Sequence, residues 1–562
     1  MEYDEVLRSL GIYWEIFLLY CNEFKEKINS NCEGLEAWQL IAFSVGITLI
    51  VTWIYQWLNH PELTLSQRIK KSIFTCVRSM PYIKGRIKEQ LDVAKAGLQE
   101  ELFRGTEGST YITALPKHGL TRKEILKSVK DYQKLDKVDW KGGKVSGCVY
   151  NGSDALSKLS GEIYEEFAWT NPLHPDVFPA LRKMESEVVA MCVKMFNGGS
   201  QGCGTVTSGG TESILMACLA YRSIWFEKGI LYPEILAPIS VHSAFNKAAH
   251  YFKMKLVHVP IDPVTSEVNI KAMKRLITKK TCMLVGSAPS FPHGILDPIG
   301  DIAALGRRYG IPVHVDCCLG GFLVPFMKKA GFTIPACDFT VDGVTSISAD
   351  THKYGFAPKG SSVILYSDRK YRAQQYYVNP DWQGGIYASP GLAGSRAGAL
   401  VAGCWATLVH FGENGYIDST RKIVSTARYI EKHLRQIKGI FIYGKPEVSV
   451  VAVGSNDFDV YRLSGALTGK GWNLNVLQFP ASFHLCVTLC QTEEGVADEF
   501  IQDVKKLTAE IMKDPKKKAD GAAAIYGMSQ SVPDRSMVSE IAQVFLDSCF
   551  STGPLATNGT TN

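Results

Sequence analysis

Three textures of hydrophobic and polar positions follow one another along the chain: an uncharged apolar run, a basic charged stretch, and a long alternation of short apolar runs with amphipathic segments. The apolar run is AWQLIAFSVGITLIVTWIYQWLN, Ala37 to Asn59, 23 residues without a charge. As a helix it reaches about 34 Å, enough to cross the hydrocarbon core of a bilayer. Trp38, Trp53, Tyr55 and Trp57 lie toward its ends, where aromatic rings favour the interface. A secretory leader should open on basic residues, yet residues 1–36 hold eight acids and three bases. A core helix should carry a polar stripe, and this one has almost none. The pattern predicts a single membrane span. Past it stand Arg68, Lys70, Lys71, Arg78, Lys84, Arg86 and Lys88 against Glu62 and Glu89. By the positive-inside rule this side is cytosolic and the N-terminal segment luminal. The basic collar either touches anionic lipid or serves topology alone.

Residues 91–145 read as a charged, helical connecting arm. From Ser146 the texture changes. ILAPIS at 235–240, CMLVGSA at 282–288, IPVHVDCC at 311–318 and SVILYS at 362–367 have strand length, and IGDIAALGRRYG at 299–310 is amphipathic with helical period. Such alternation predicts an α/β fold with a mainly parallel sheet and helices on both faces, its ligands at the carboxyl ends of the strands. Beyond about residue 420, GIFIYG, VSVVAVG and SFHLCVTLC with a helix near 494–512 predict a smaller α+β unit. The organisation expected is therefore a luminal segment 1–36, a transmembrane helix 37–59, a collar and arm 60–145, a catalytic domain 146–419, a small domain 420–550, and a disordered tail 551–562. No internal repeat is visible.

Composition narrows the class. At 562 residues, 46% hydrophobic and 21% charged, the chain is neither a disordered tail, a collagen nor a coiled-coil rod. It is long enough to bury a core without a disulfide or metal staple, and no metal site is expected. Lys and Arg number 61 against 55 Asp and Glu, a net charge of +6. That excess is too small to make nucleic acid the default partner. The 15 cysteines are scattered without a CxxC pair, which fits reduced thiols and a catalytic body in a reducing compartment.

The sharpest chemical feature is Ser348-Ala349-Asp350-Thr351-His352-Lys353-Tyr354, which follows one predicted strand and precedes another. A lysine held at a strand end can form a Schiff base once burial frees its lone pair. His-Lys alone is most often an ordinary loop. Upstream, Val313-His314-Val315-Asp316 is an apolar strand ending in a carboxylate, which needs a cationic partner if buried. A protonated pyridine nitrogen supplies one, and lysine with aspartate is the pairing used to hold pyridoxal phosphate. Thr207-Ser208-Gly209-Gly210-Thr211-Glu212-Ser213 opens a helical run, where backbone N–H groups can hold a phosphate. His242, in SVHSAF just past the strand ILAPIS, can stack on a pyridine ring or cap a helix. Singly weak, these four in this order at strand ends are specific together.

The motifs TSGGTES, SVHSAF, HVDCCLGGF and SADTHKYGFAPKG resemble the fold-type I pyridoxal-phosphate enzymes of the decarboxylase group. Within that group almost the whole chain, including NPLHPDVFP at 171–179 and YASPGLAGSRAG at 387–398, is similar to the vertebrate lyases of phosphorylated long-chain bases. The resemblance implies pyridoxal 5'-phosphate as cofactor, held by Lys353, with Asp316, His242, His352, Gly210 and Thr211 around it. It implies retro-aldol cleavage of a long-chain base phosphate between C2 and C3, giving a long-chain aldehyde and phosphoethanolamine. Tyr387 and Tyr150 look like the family's active-site tyrosines, with the choice of general base left open. Lys359, His174 and Arg396 are the residues it implies for the substrate phosphate, though any of them could instead make a structural ion pair. It further implies a homodimer with shared active sites, the 387–398 loop or the 150–175 segment coming from the partner, in the endoplasmic reticulum membrane. One departure stands out: the residue after the cofactor aspartate is commonly Ala in the family and is Cys317 here, which could add sensitivity to oxidation. The competing readings are an amino-acid decarboxylase on the same scaffold and an inactive, membrane-tethered interaction protein.

Overall fold

The computed structural model describes residues 18–27, 29–30, 34–58, 65–106, 109–136, 138–519 and 535–554. The chain falls into two units, Met1–Ile69 and Lys70–Asn562. In the first, Ala37–Leu58 is one helix, and its stretch Ala37–Tyr55 is long and apolar enough to cross a membrane, with none of it buried against protein. In the second, the described part of the expected helical arm holds two helices. Pro81–Phe103 starts on a proline that gives up no hydrogen bond there. Arg122–Gln133 starts on a capping box in which Thr121 and Glu124 satisfy each other's backbone N–H groups. The Arg535–Cys549 helix packs on Pro81–Phe103, and Arg78 donates to Ser536 Oγ at 2.7 Å and pairs with Glu540.

The centre is a seven-stranded sheet: β1 (Cys203–Thr207), β2 (Glu234–Pro238), β3 (Lys255–Val259), β4 (Thr281–Ser287), β5 (Val313–Asp316), β6 (Val344–Ala349) and β7 (Ser362–Tyr366), in the spatial order β1-β7-β6-β5-β4-β2-β3. All neighbours are parallel except β7, which runs antiparallel to both β1 and β6. The carboxyl ends of β1, β2, β5 and β6 therefore share one edge. Period-two alternation divides the core. Leu236, Val363 and Leu365 join one apolar layer, while Ile235, Ala237, Ile364 and Tyr366 join the other. Both faces are covered, as a buried parallel sheet requires.

After the hairpin β8 (Tyr377–Asn379) and β9 (Tyr387–Ser389), a helix runs Gly398–Leu434, broken only at Gly412 with φ 56°. It crosses the 419/420 boundary expected between the two domains, so the units share an element. The small sheet is antiparallel, β10 (Phe441–Ile442), β11 (Val450–Gly454), β13 (Ser482–Cys486) and β12 (Asn475–Leu477), with the helix Val496–Ile511. The tail expected to be disordered lies, from 555 onward, outside the described residues.

Candidate active site

β6 ends at Ala349, and the next four residues turn back under it. Asp350 is 2% exposed, and its Oδ2 lies 2.9 Å from the Lys353 ammonium. Two residues of a tight turn, Thr351 and His352, separate them, and this i,i+3 spacing brings the two side chains together. His352 accepts N–H bonds at Nδ1 from Gly360 (3.3 Å) and Ser361 (3.1 Å), which assigns its ring proton to Nε2, 3.7 Å from Asp350 Oδ2. Burial lowers the His352 pKa, with Asp350 pulling the other way. For Lys353 burial is the largest influence and works against the charge, but Asp350 together with Cys318 and Tyr150 outweighs it, and the lysine holds its proton more tightly than usual.

Asp316, at the end of neighbouring β5, is 7% exposed. Its Oδ1 accepts from the Cys318 backbone N–H (3.1 Å) and from Ser348 Oγ (3.3 Å). Behind it runs a polar chain that the linear motifs do not announce: Tyr221 Oη to Ser346 Oγ (2.7 Å), Ser346 to His314 Nδ1 (2.8 Å), and His314 Nε2 to Ser348 Oγ (3.1 Å). Burial pushes His314 down to about 4 against a weaker upward pull from Asp316, so it is a neutral brace for the carboxylate.

The glycine-rich turn leads from β1 into the helix Gly210–Glu227. A Cβ on Gly210 would sit 2.6 Å from Asp350 Oδ1 and 2.8 Å from Cys318 Sγ; one on Gly209 would sit 3.3 Å from His352 Cε1. Only glycines let this helix start approach the Asp350–Lys353 turn so closely, and Thr211 follows on its first turn. Glu212 holds the loop in place, accepting from Ser208 N (2.7 Å) and from Leu392 N (3.0 Å). Underneath, Thr207, Ser213 and Ser362 link hydroxyl to hydroxyl at 2.6 and 2.9 Å. His242 follows β2 and accepts the Ala244 N–H at Nδ1 (3.1 Å), its ring 6.3 Å from Phe291 at 86°.

Lys359 lies over the Tyr150 ring, 4.7 Å from its centroid, and donates to the His352 carbonyl at 3.2 Å. Tyr150 is buried, edge-on to Tyr354 at 4.8 Å. Burial, with Cys486 adding to it, raises the Tyr150 phenol far above its usual range, so it stays protonated. Tyr387 is half-buried beside Trp382 (5.9 Å) and Tyr377 (6.2 Å), and a Cβ on Gly394 would come within 2.6 Å of its hydroxyl. Arg396 is directed elsewhere: both terminal nitrogens clasp the Glu185 carboxylate. It lines a cavity of about 790 Å³ with Arg182, Arg369 and Arg372. His174 is exposed on the turn that Asn171 ties to Ser395 (3.0 Å) and Arg396 N (3.1 Å). Cys317 is fully buried and donates to the Ala288 carbonyl at 3.1 Å. Burial raises its pKa well above the ordinary thiol value, so it is a neutral packing group unsuited to oxidation.

A lysine past one strand end, a braced carboxylate at the next, and a glycine-bounded helix start against Asp350 and Cys318 are an arrangement able to hold pyridoxal phosphate. The model of the pyridoxal-dependent decarboxylase conserved domain matches residues 110–454. A sphingosine-1-phosphate lyase from Rattus norvegicus is 53% identical over 98% of this chain and 96% of that protein. The chain belongs to the sphingosine-1-phosphate lyase family. The Drosophila melanogaster member is 49% identical over 94% of the chain and 97% of its own length. The solved lyase of Burkholderia pseudomallei superposes with a TM-score of 0.72 at 37% identity, covering 79% of this chain and 99% of that one. A Lactobacillus brevis glutamate decarboxylase, at 21% identity and a TM-score of 0.63, shares the fold alone. The chain is thus a pyridoxal-phosphate-dependent lyase with the decarboxylase-type fold. Its residues fit the cofactor: a Cβ on Gly209 or Gly210 would fill the cradle at the helix start, and Lys353 and Asp316 supply the amine and the carboxylate.

Proposed function

We propose that the chain cleaves sphingosine 1-phosphate and related long-chain base phosphates between C2 and C3, releasing a long-chain aldehyde and phosphoethanolamine. The observation that carries this reading is the Lys353–Asp350 turn set beside braced Asp316, in a chain 53% identical to a lyase of that name over nearly its whole length. Lys353 would hold the cofactor, Asp316 its ring nitrogen, His242 its ring face, and Gly210, Thr211 and His352 its phosphate. Bound there, pyridoxal phosphate supplies an electron sink for the carbanion left at C2. The protein must take the C3 hydroxyl proton. Tyr387 is the better candidate, because burial keeps the Tyr150 phenol protonated and leaves it a donor. Lys359 and His174 offer cations to the substrate phosphate, and Arg396 joins them only by giving up Glu185. An amino-acid decarboxylase needs no cation beyond the cofactor's own cup, and Lys359 over Tyr150 favours the lyase.

The test is an absorbance spectrum of purified protein before and after addition of sphingosine 1-phosphate, with product analysis. A near-visible band absent from Lys353→Ala, with fatty aldehyde and phosphoethanolamine formed, supports the proposal. Carbon dioxide released from amino acids would favour the decarboxylase, and no band after loading with pyridoxal phosphate would leave an inert scaffold.

We further infer a single-pass protein of the endoplasmic reticulum, with a luminal N-terminus and a cytosolic catalytic body. The unburied apolar stretch Ala37–Tyr55 and the basic collar support it. Protease added to intact microsomes should cut the body; a protected body would reverse the orientation. We also propose a homodimer. Asn171 stitches the 171–174 turn to Ser395 and Arg396, so both segments expected from the partner would arrive as one surface. Full activity in a strictly monomeric preparation would contradict it.

A further inference from the structure

Asp350 presents a problem of charge. The helix start at Gly210 and Thr211, with His352, is the proposed seat of the cofactor phosphate, a reading on which the role of Asp350 rests. Yet the cup already contains a carboxylate. Asp350 is 2% exposed, both its oxygens lie within 2.8 Å of where a Gly210 Cβ would stand, and Oδ1 has no hydrogen-bond partner among the described residues. A phosphate dianion set beside it would place like charges together in a low-dielectric pocket. Such pairs are relieved by a proton on one member. The groups facing Asp350 are Lys353 and His352 on its own turn, Cys318 after β5, Gly210 on the helix, and Tyr150 and Lys359 from the two neighbouring segments. His352 is neutral with its proton on Nε2 at 3.7 Å, and the Cys318 thiol and Tyr150 phenol are held protonated by burial. The proton within reach is the one on Lys353, 2.9 Å away.

We propose that Asp350 is a phosphate-gated proton acceptor for Lys353. With no anion at the helix start, Asp350 and Lys353 stand as carboxylate and ammonium, and the amine is unreactive. An anion on Gly210, Thr211 and His352 drives one proton from Lys353 Nζ to Asp350 Oδ2. The pair becomes carboxylic acid and amine with no net change in its protons, the acid can donate to the phosphate, and the amine's lone pair is free to add to a carbonyl carbon. The nitrogen–carbon bond forms and the carbonyl oxygen leaves as water. The lysine is thereby unmasked only when a phosphate-bearing carbonyl compound is in place.

The probe is pyridoxal, which has the reactive carbonyl and no phosphate. The full chain in detergent, freed of cofactor, is given pyridoxal with and without inorganic phosphate, reduced with borohydride, and label at Lys353 is counted by peptide mass spectrometry. The expected result is labelling at least about tenfold faster with phosphate, the equivalent of one pKa unit at the amine. In Asp350→Asn the amine should label rapidly without phosphate and gain nothing from it. Asp350→Ser serves if the asparagine variant folds poorly, and the wild-type arm needs no variant. Phosphate that competes with pyridoxal phosphate for the empty chain but leaves wild-type labelling unchanged overturns the gate. Phosphate that fails to compete removes the cup assignment, and the gate with it. Phosphate dependence that persists in both Asp350 variants would assign the effect to another group.

Discussion

The Lys359 ammonium stands over the face of Tyr150, 4.7 Å from the ring centroid, and is anchored by the His352 carbonyl at 3.2 Å. One cation therefore bridges the tyrosine and the turn that carries Lys353. Burial lowers its pKa, with Cys148 opposing and Lys353 assisting. A charged hydrogen bond to a substrate phosphate is worth about 1.5–3 kcal/mol, or roughly 10- to 100-fold in affinity. Lys359→Met keeps the stem and removes the charge. It should raise KM for sphingosine 1-phosphate by that factor while leaving the cofactor band intact. Steady-state kinetics beside an absorbance scan checks it, and loss of the band would reassign Lys359 to the cofactor turn.

Arg396 and Glu185 make a two-point ion pair with only 18% and 20% of their side chains exposed. The pair joins the 395–396 segment to the helix Pro179–Met195. Glu185→Gln leaves a guanidinium largely buried against a neutral amide and should cost about 1–3 kcal/mol in denaturant unfolding. Arg396→Lys should not rescue the loss, because an ammonium cannot meet both carboxylate oxygens in one plane. A Glu185→Gln chain as stable as wild type would free Arg396 for the substrate phosphate.

Four strands of the large sheet were legible as short apolar runs bounded by turn residues: β2, β4, β5 and β7 fall within a residue or two of the runs at 235, 282, 311 and 362, while β3 and the β8–β9 hairpin were not read. That Lys353, Asp316 and Gly210 lie at or just past strand ends was legible because each closes or follows a short strand-length run, and strand ends are where such a fold binds ligands. Asp350 stood in plain view within SADTHKYG, but nothing in a linear motif says that the turn folds its carboxylate onto Lys353. His314 reads as one more strand residue until β6 supplies Ser346 and Ser348 opposite it. Arg396 was placed among the phosphate ligands because its small neighbours permit close approach. Glu185, 211 positions away, is invisible at that level. Local pattern fixes elements and strand-end positions, while partners across the fold need the fold.

Glycine substitutions separate the crowded helix start from ordinary helix positions. A Cβ on Gly210 would stand 2.6 Å from Asp350 Oδ1 and 2.8 Å from Cys318 Sγ, closer than packing allows. Gly210→Ala should push the turn and helix apart and weaken pyridoxal-phosphate binding at least about tenfold, a loss of about 1.4 kcal/mol. Gly161 is the control. It lies on the exposed side of the helix Asp154–Phe167 with nothing within 4 Å of its Cβ position. Gly161→Ala should stabilise the chain by up to about 1 kcal/mol. Equilibrium titration of the empty chain with cofactor, and thermal unfolding, check the two arms.

Buried imidazoles set the response to acid. Burial pushes His293, His314 and His484 each down to about 4, while in the unfolded chain they titrate near 6.5. Between those values the unfolded chain binds protons that the folded chain refuses, so stability falls as pH drops from about 6.5 toward 4. Asp297 acts in the opposite sense. Burial raises its carboxyl to about 7 despite N–H bonds from Ser287 and Val268, so the folded chain keeps a proton there that the unfolded chain gives up until near pH 4. That term adds stability as pH falls from about 7. Three imidazoles oppose one carboxyl, so the net expectation is a melting temperature that drops steadily from pH 7 to pH 5. Asp297→Asn, with the compensating proton site removed, should make the drop steeper, and His314→Gln should make it shallower. Thermal unfolding of the three chains across that range decides it, and parallel curves would mean these groups do not govern acid stability.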